Sequence, residues 1–354
     1  MTNSIITGTG SYIPLVKVPN RQFLENEFYQ ADGTKISKAN EDIVNKLQEI
    51  TCIRERRYVE DDLSTSDMAY LAAEAALKGI DREELDYIIV GQNFGDVKKD
   101  NITPDMVPTI AARVKHKLRI KNPYTVAYDI PFGCPGWLQG MITADYYIKS
   151  GDAKKVMVIG AETLSRVSDP HDVDCMIYSD GAGATVMEAS ENGGGVLSHV
   201  TRSDTYDNAY LLTVGKSYGS SRNRNELFIK MQGHDIYKYA VRTVPQVVQQ
   251  SLDKAGLTLS DVKKILIHQA NQKMDEAILE RLFKLYKTDN VPENIMPMTI
   301  SWLGNSSVAT LPTMLDLLQK GKLENHNRLQ SGDIVVFASV GAGMNINSMV
   351  YKMQ

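Results

Sequence analysis

An α/β fold built from two similar halves is what this 354-residue sequence predicts. Two observations carry the expectation: helical and strand patterns alternate along the chain, and a weak internal repeat recurs at one constant offset of half the chain. Glu74 through Val90 reads as a helix end, a glycine stop, a polar turn and a buried strand. Ser251 through Ile267 reads the same way, with Gly79 matching Gly256. At the same offset Val156–Ile159 matches Asp333–Val336, each a short β-branched strand after a polar turn. Two such halves facing each other would bring equivalent strand ends around one shared site. The turn Asn192-Gly-Gly-Gly195 divides the chain near its midpoint into an N-terminal half, 1–192, and a C-terminal half, 193–354.

A chain of this length suits one large domain or two intimate halves. With 43% apolar residues, 23% charged residues and a net charge of −4, it offers no electrostatic case for nucleic acid or an anionic membrane. Three widely spaced cysteines make neither a disulfide framework nor a metal site, so no metal is expected and Cys52 and Cys175 read as structural. The start, Met1-Thr-Asn-Ser-Ile-Ile-Thr7, lacks the basic segment and long apolar run of a signal peptide, and no apolar stretch reaches the length of a membrane span. A cytoplasmic protein is expected. Three polar excursions interrupt the pattern: 22–45, read as a surface insertion or lid, 94–101, and the basic stretch Ser217–Asn225, expected to be a mobile loop.

Cys134 lies where the apolar run Tyr128–Phe132 stops at a Gly-Cys-Pro-Gly corner, and Leu138–Lys149 continues with helical spacing. A thiol between a strand and a helix, with proline at the helix start, sits at the positive end of that helix. That position favours thiolate and so suggests a nucleophile. His268 closes the strand pattern Ile265-Leu-Ile267 and opens a helical one. The carboxyl end of a strand is where ligands meet an open α/β sheet. Asn305 lies in Trp302-Leu-Gly-Asn-Ser-Ser-Val-Ala-Thr310, a second glycine-punctuated corner, where helix capping is the ordinary role of Asn. The loop Ser339-Val-Gly-Ala-Gly-Met344 allows backbone N–H groups to approach a substrate. A cysteine, a histidine, an asparagine and a glycine loop, all after strands, make a sharper proposal than any one alone.

Those corners, with Ile53-Arg-Glu-Arg-Arg57, Ser179-Asp-Gly-Ala-Gly-Ala184, His268-Gln-Ala-Asn271 and Gly304-Asn-Ser-Ser307, carry a resemblance. Over nearly its whole length the chain resembles the thiolase-fold condensing enzymes, specifically β-ketoacyl-[acyl carrier protein] synthase III. The resemblance implies a duplicated αβαβα five-layer core, a homodimer, and a Cys134–His268–Asn305 active site. It implies that Cys134 takes an acyl group from a thioester, the acyl oxygen lying between the backbone N–H groups of Cys134 and Gly343. A malonyl-[acyl carrier protein] thioester then loses carbon dioxide, His268 and Asn305 donate to the enolate oxygen, and the carbanion attacks the acyl-cysteine. No cofactor is implied; acyl-CoA or acyl-carrier thioesters are substrates and acyl carrier protein is the partner. Val107 and Trp137 are implied in the acyl pocket, Val107 from across the dimer, and Lys273 in carrier docking.

Departures from the family pattern are part of the reading. Where relatives that use acetyl-CoA carry a Trp and an Arg ahead of Ile53, spacing falls on Lys46 and Ile50, and no arginine occurs between Arg166 and Arg202. Lys273 replaces a docking arginine, keeping charge but losing the planar fork. These losses suggest weakened CoA use. A specialised condensing enzyme of pigment, resorcinol-type or polyketide lipid synthesis is the alternative pathway. Hydroxymethylglutaryl-CoA synthase is disfavoured by the asparagine in Gly-Asn-Ser-Ser, and type III polyketide synthases by their different strings. Outside the superfamily, a Cys–His thioesterase would share the nucleophile. A dinucleotide oxidoreductase rests only on Gly8-Thr-Gly-Ser-Tyr-Ile13, which lacks the third glycine.

Overall fold

The structure is a computed structural model and describes residues 2–219 and 226–354. Lys155–Thr163 is buried at every position, as a strand covered on both faces must be, and it pairs in parallel with Tyr87–Gly91. Around this pair a five-stranded sheet runs in the order Asn3–Tyr12, Asp180–Ser190, Lys155–Thr163, Tyr87–Gly91, Val126–Ile130. The second sheet runs Gly195–Ser203, Asn345–Lys352, Ile334–Gly341, Val262–Ile267. The two orders match strand for strand, including the antiparallel pairings at one end and the parallel pair at the other. Val126–Ile130 adds a fifth strand to the first sheet; at the corresponding edge of the second, Ile265 N–H donates to the carbonyl of Ile295 at 3.0 Å. The repeat read from Gly79/Gly256 and Val156/Asp333 is therefore a repeat of topology.

Two helices lie between the sheets. Gly136–Ser150 and Thr310–Gln319 share one cluster with residues of both sheets, among them Leu138, Met141, Met314, Val158, Val335 and Phe337. Each such buried aliphatic side chain contributes roughly 1.5–3 kcal/mol relative to exposure. Asp316 is the buried charged residue on Thr310–Gln319. It is 1% exposed, and its carboxylate accepts from Thr9 Oγ1 at 2.9 Å and Ser11 Oγ at 2.6 Å, which removes the penalty of burying it.

Two outer helical layers complete five. Thr65–Ala76, capped reciprocally by Ser64 and Asp67, lays Met68, Ala69, Ala72 and Ala73 on the first sheet beside Ile110–Lys117. Gly233–Ala255 and Gln272–Leu285 cover the second with Val244, Val248, Leu252, Ile278 and Leu282. This is the α/β, thiolase-like layering expected of the sequence. Among the described residues no helix is long and apolar enough to cross a membrane.

The 22–45 segment is not a free lid. Phe23 and Phe28 are buried against Cys175 and Met176, and the helix Asn40–Thr51 starts inside it. Alternation of polar and aromatic residues masked these anchors in the sequence. The 94–101 segment opens a small hairpin, Asp96–Lys98 with Asn101–Asp105. Of Ser217–Asn225, positions 220–225 lie outside the described residues.

Gly160 shows how tightly the layers meet. A Cβ there would sit 2.2 Å from the carbonyl oxygen of Val308, which follows the Asn305 corner. Gly160→Ala is expected to cost about 1–3 kcal/mol, read as a lower urea midpoint at unchanged slope. An unmoved midpoint would mean that strand and loop can part freely.

Candidate active site

The corner at Cys134 is made by Gly133, whose φ of +65° turns the chain sharply out of Val126–Ile130, and by Pro135, which caps Gly136–Ser150. From the other half, Gly341 ends the strand Ile334–Gly341 so close that a Cβ would lie 2.5 Å from the Cys134 nitrogen. A Cβ on Gly133 would likewise meet the Ala342 nitrogen at 2.7 Å. The two loops thus touch backbone to backbone, and only glycine permits it.

His268 continues the strand Val262–Ile267 by donating its N–H to the Ala338 carbonyl at 2.9 Å, and it is 2% exposed. Asn305 is locked by main-chain bonds, its N–H to Ile177 O at 3.0 Å and its carbonyl from Ser179 N–H at 2.9 Å. Its side-chain Oδ1 accepts from Ser307 N–H at 2.9 Å, which leaves the amide NH2 as its donor toward the cavity. Ser307 itself is held at φ +53°, a conformation few non-glycine residues adopt, and its Oγ–H donates to Cys134 Sγ at 3.4 Å.

Cys134, His268, Asn305 and Gly343 line one cavity of about 420 Å³. Its remaining wall is largely apolar, with Phe94, Leu212, Ile229 and Met231 prominent. Such a wall suits a hydrocarbon chain and withholds water from the sulfur.

That same wall corrects the expected state of the nucleophile. Burial pushes the Cys134 thiol up to about 11; the Ser307 hydroxyl works against this, and the nearby Glu162 carboxyl adds to it. At neutral pH the resting group is thiol, because desolvation of the anion outweighs the helix start. Burial also pulls His268 down to about 4, against a backbone hydrogen bond at Ser307, so the imidazole is neutral. A neutral imidazole and a carboxamide are two uncharged donors beside the sulfur.

One expected pocket residue lies elsewhere. Trp137 is 1% exposed in the central layer, its ring against Phe337 and its Nε1–H donating to Thr185 Oγ1 at 3.3 Å. Its position one helical step past the corner turns it inward to the core, away from the cavity. Val107 is 85% exposed and does not reach the cavity of its own chain. Lys273 is exposed in the first turn of Gln272–Leu285. Lys46 and Ile50 also lie on the surface, Lys46 paired with Glu49 at 3.1 Å.

Two of the recognised motifs act as scaffold. Arg56, fully buried, donates to Val18 O, Asn20 Oδ1 and Met176 O, while Ser179 Oγ accepts from Arg57 N–H and donates to Arg57 O. They hold the segment Ile177–Ser179, whose main chain clamps Asn305. The residues that sequence reasoning missed are Ser307, Asn93 and Glu162. Ser307 stood inside the Gly304–Ser307 motif, but nothing in a linear pattern aims a hydroxyl at a cysteine 173 residues away.

Comparison with known proteins agrees with this architecture. The chain matches the family model for 3-oxoacyl-[acyl-carrier-protein] synthase III over residues 128–205 and its C-terminal companion over 252–353. It is 34% identical to β-ketoacyl-[acyl-carrier-protein] synthase III 1 of Halalkalibacterium halodurans, with 99% of both chains covered. It is 32% identical to β-ketoacyl-[acyl-carrier-protein] synthase III of Xanthomonas campestris pv. campestris, covering 99% of this chain and 98% of that one. The solved structure of β-ketoacyl-[acyl carrier protein] synthase III from Thermus thermophilus superposes with a TM-score of 0.80 at 28% identity, covering 99% of each chain. Likeness of this extent, running through both halves and both corners that line the cavity, makes the chain a condensing acyltransferase that belongs to the β-ketoacyl-[acyl carrier protein] synthase III family.

Proposed function

We propose that Cys134 carries the acyl group and that His268 and Asn305 stabilise the enolate of a decarboxylative condensation giving a 3-oxoacyl-[acyl carrier protein]. The observation that carries this reading is the convergence of a thiol, a neutral imidazole and a carboxamide on one apolar cavity. In the first step the cysteine sulfur bonds to the thioester carbon, the donor's C–S bond breaks, and the thiol proton leaves with the departing thiol. The backbone N–H groups of Cys134 and Gly343 receive the acyl oxygen. A malonyl thioester of acyl carrier protein then enters. Its bond to the carboxylate breaks, carbon dioxide leaves, and the electron pair passes onto the enolate oxygen. That charge is what the two neutral side chains meet; a carboxylate in either place would repel it. The enolate carbon bonds to the acyl carbon, the Cys134 C–S bond breaks, and solvent returns a proton to the sulfur. These steps need no cofactor or metal.

Acyl carrier protein is the partner in this reading, and the exposed Lys273 supplies a cation for its docking. A homodimer is supported by the free edge of the first sheet at Val126–Ile130, flanked by Tyr124 at 84% exposure. Val107 would then complete the partner subunit's pocket. The two halves, 1–192 and 193–354, act as one unit around the shared cavity. A cytoplasmic location fits three unpaired cysteines.

The surface positions of Lys46 and Ile50 favour a donor other than acetyl-CoA, since neither an aromatic face nor a guanidinium stands there for a nucleotide. A specialised lipid pathway is compatible with that preference.

One good oxyanion donor is worth about 2.7–4 kcal/mol. His268→Ala and Asn305→Ala are therefore each expected to slow condensation by about two to three orders of magnitude while Cys134 still loads. Near-normal turnover in either variant defeats the assignment. Intact-protein mass spectrometry is expected to find Cys134 acylated faster by an acyl-carrier thioester than by acetyl-CoA, and the reverse order sinks the donor argument. Light scattering is expected to read two chains of 39.4 kDa, and a single-chain mass would remove the dimer.

A further inference from the structure

The proposed reaction leaves one buried carboxyl beside the nucleophile unused. Glu162 lies on Lys155–Thr163 with no exposure, and its oxygens accept from Asn93, through the main-chain N–H at 3.4 Å and through Nδ2, with a further main-chain bond from Phe94. Asn93 lines the cavity at the end of Tyr87–Gly91. Its Oδ1 accepts from Gly133 N–H at 2.9 Å, and its Nδ2 also donates to Ser307 Oγ at 3.4 Å. Ser307 Oγ–H in turn donates to Cys134 Sγ.

One side chain therefore ties together three loops: the end of Tyr87–Gly91, the Gly133–Cys134 corner and the Asn305–Ser307 corner. A primary amide has two N–H donors and one carbonyl acceptor, and here all three are assigned. Turning it over would set its oxygen against the Glu162 carboxyl and its N–H against that of Gly133. The Gly133 N–H, a donor only, sets which end of the amide is oxygen, and Glu162 holds the other end by accepting its N–H. With the amide so held, the Ser307 oxygen is already accepting from Asn93, and its own hydrogen is left for the sulfur.

The neutral form of Glu162 suits this place. Burial pushes it up to about 8, the Asn93 bonds opposing and the neighbouring Asp180 carboxyl reinforcing. A permanent anion there would oppose thiolate formation at Cys134, as the Glu162 contribution to that thiol indicates.

We propose that Asn93 and Glu162 are positioning residues for the nucleophile: Glu162 fixes the Asn93 amide, which aims the Ser307 hydroxyl at Cys134 Sγ and pins Gly133. The proposal rests on reading Cys134 as the acylated residue. It predicts that the sulfur's reactivity depends on two side chains that make no contact with the sulfur itself.

The test uses the full chain and a probe that needs no acyl substrate, iodoacetamide, with Cys134 alkylation followed by intact mass. Asn93→Ala, Ser307→Ala and Glu162→Leu are each expected to alkylate about tenfold more slowly, as loss of one hydrogen bond to the anion implies, with kcat falling and KM unmoved. Glu162→Gln keeps an oxygen to accept from Asn93 and is expected to stay within about twofold of the parent. Parental rates in Asn93→Ala or Ser307→Ala overturn the proposal, and so does a Glu162→Gln variant as slow as Glu162→Leu. Should Glu162→Leu fail to fold, the other three variants still decide. Acyl loading of the parent protein separates the two readings: slowed alkylation in the variants with no loading at Cys134 would retract the condensing role and leave the positioning intact.

Discussion

Two helices buried between two sheets are the constraint on which the rest of the molecule depends. Gly136–Ser150 and Thr310–Gln319 find apolar partners above and below, so neither can shift without opening cavities in both halves. Each follows a corner that carries site chemistry, Cys134 before the first and Asn305–Ser307 before the second. Fixing the helices fixes the corners. The contacts at Gly160, Gly133 and Gly341, where backbones meet with no room for a Cβ, show how little slack remains. The geometry of the cavity is thus inherited from core packing, and the loops add only the final turn.

The electrostatics of the site follow from the same burial. Removing water from a thiol, an imidazole and a carboxyl drives each toward its neutral form, and Cys134, His268 and Glu162 all move that way. In the proposed condensation, neutrality suits donors that would meet a developing negative charge without having been paired to a resting one. It also means that the sulfur cannot rely on the helix start alone for its reactivity. A hydroxyl aimed at it from Ser307 becomes the local source of stabilisation, and that hydroxyl is oriented from the opposite half of the fold.

The sequence made much of this legible. Period, glycine stops and turn chemistry announced the α/β alternation, and the constant offset of Gly79/Gly256 and Val156/Asp333 announced the duplication, because buried strands tolerate little but β-branched and aliphatic residues. Cys134 and His268 stood out in the sequence because each follows a strand, and Asn305 because Gly304 turns the chain before it, although there the preceding element is the short helix Ile300–Leu303 rather than a strand. The failures have equally physical causes. Trp137 is next to the corner in sequence but one step around the helix, and a helical step of this size decides between cavity and core. Phe23 and Phe28 looked like parts of a polar excursion because aromatic anchors spaced irregularly leave no period to detect.

By itself, then, the chain determined its layers, its internal symmetry and the three residue types at its corners, since these depend on local pattern and on chemistry that is readable residue by residue. Tertiary structure alone decided the protonation states and the company the sulfur keeps. Desolvation depends on every wall of the cavity at once, and the path from Glu162 through Asn93 and Ser307 to Cys134 joins segments far apart in the chain. Such contacts leave no trace in local spacing, because it is the packing of one half against the other that creates them.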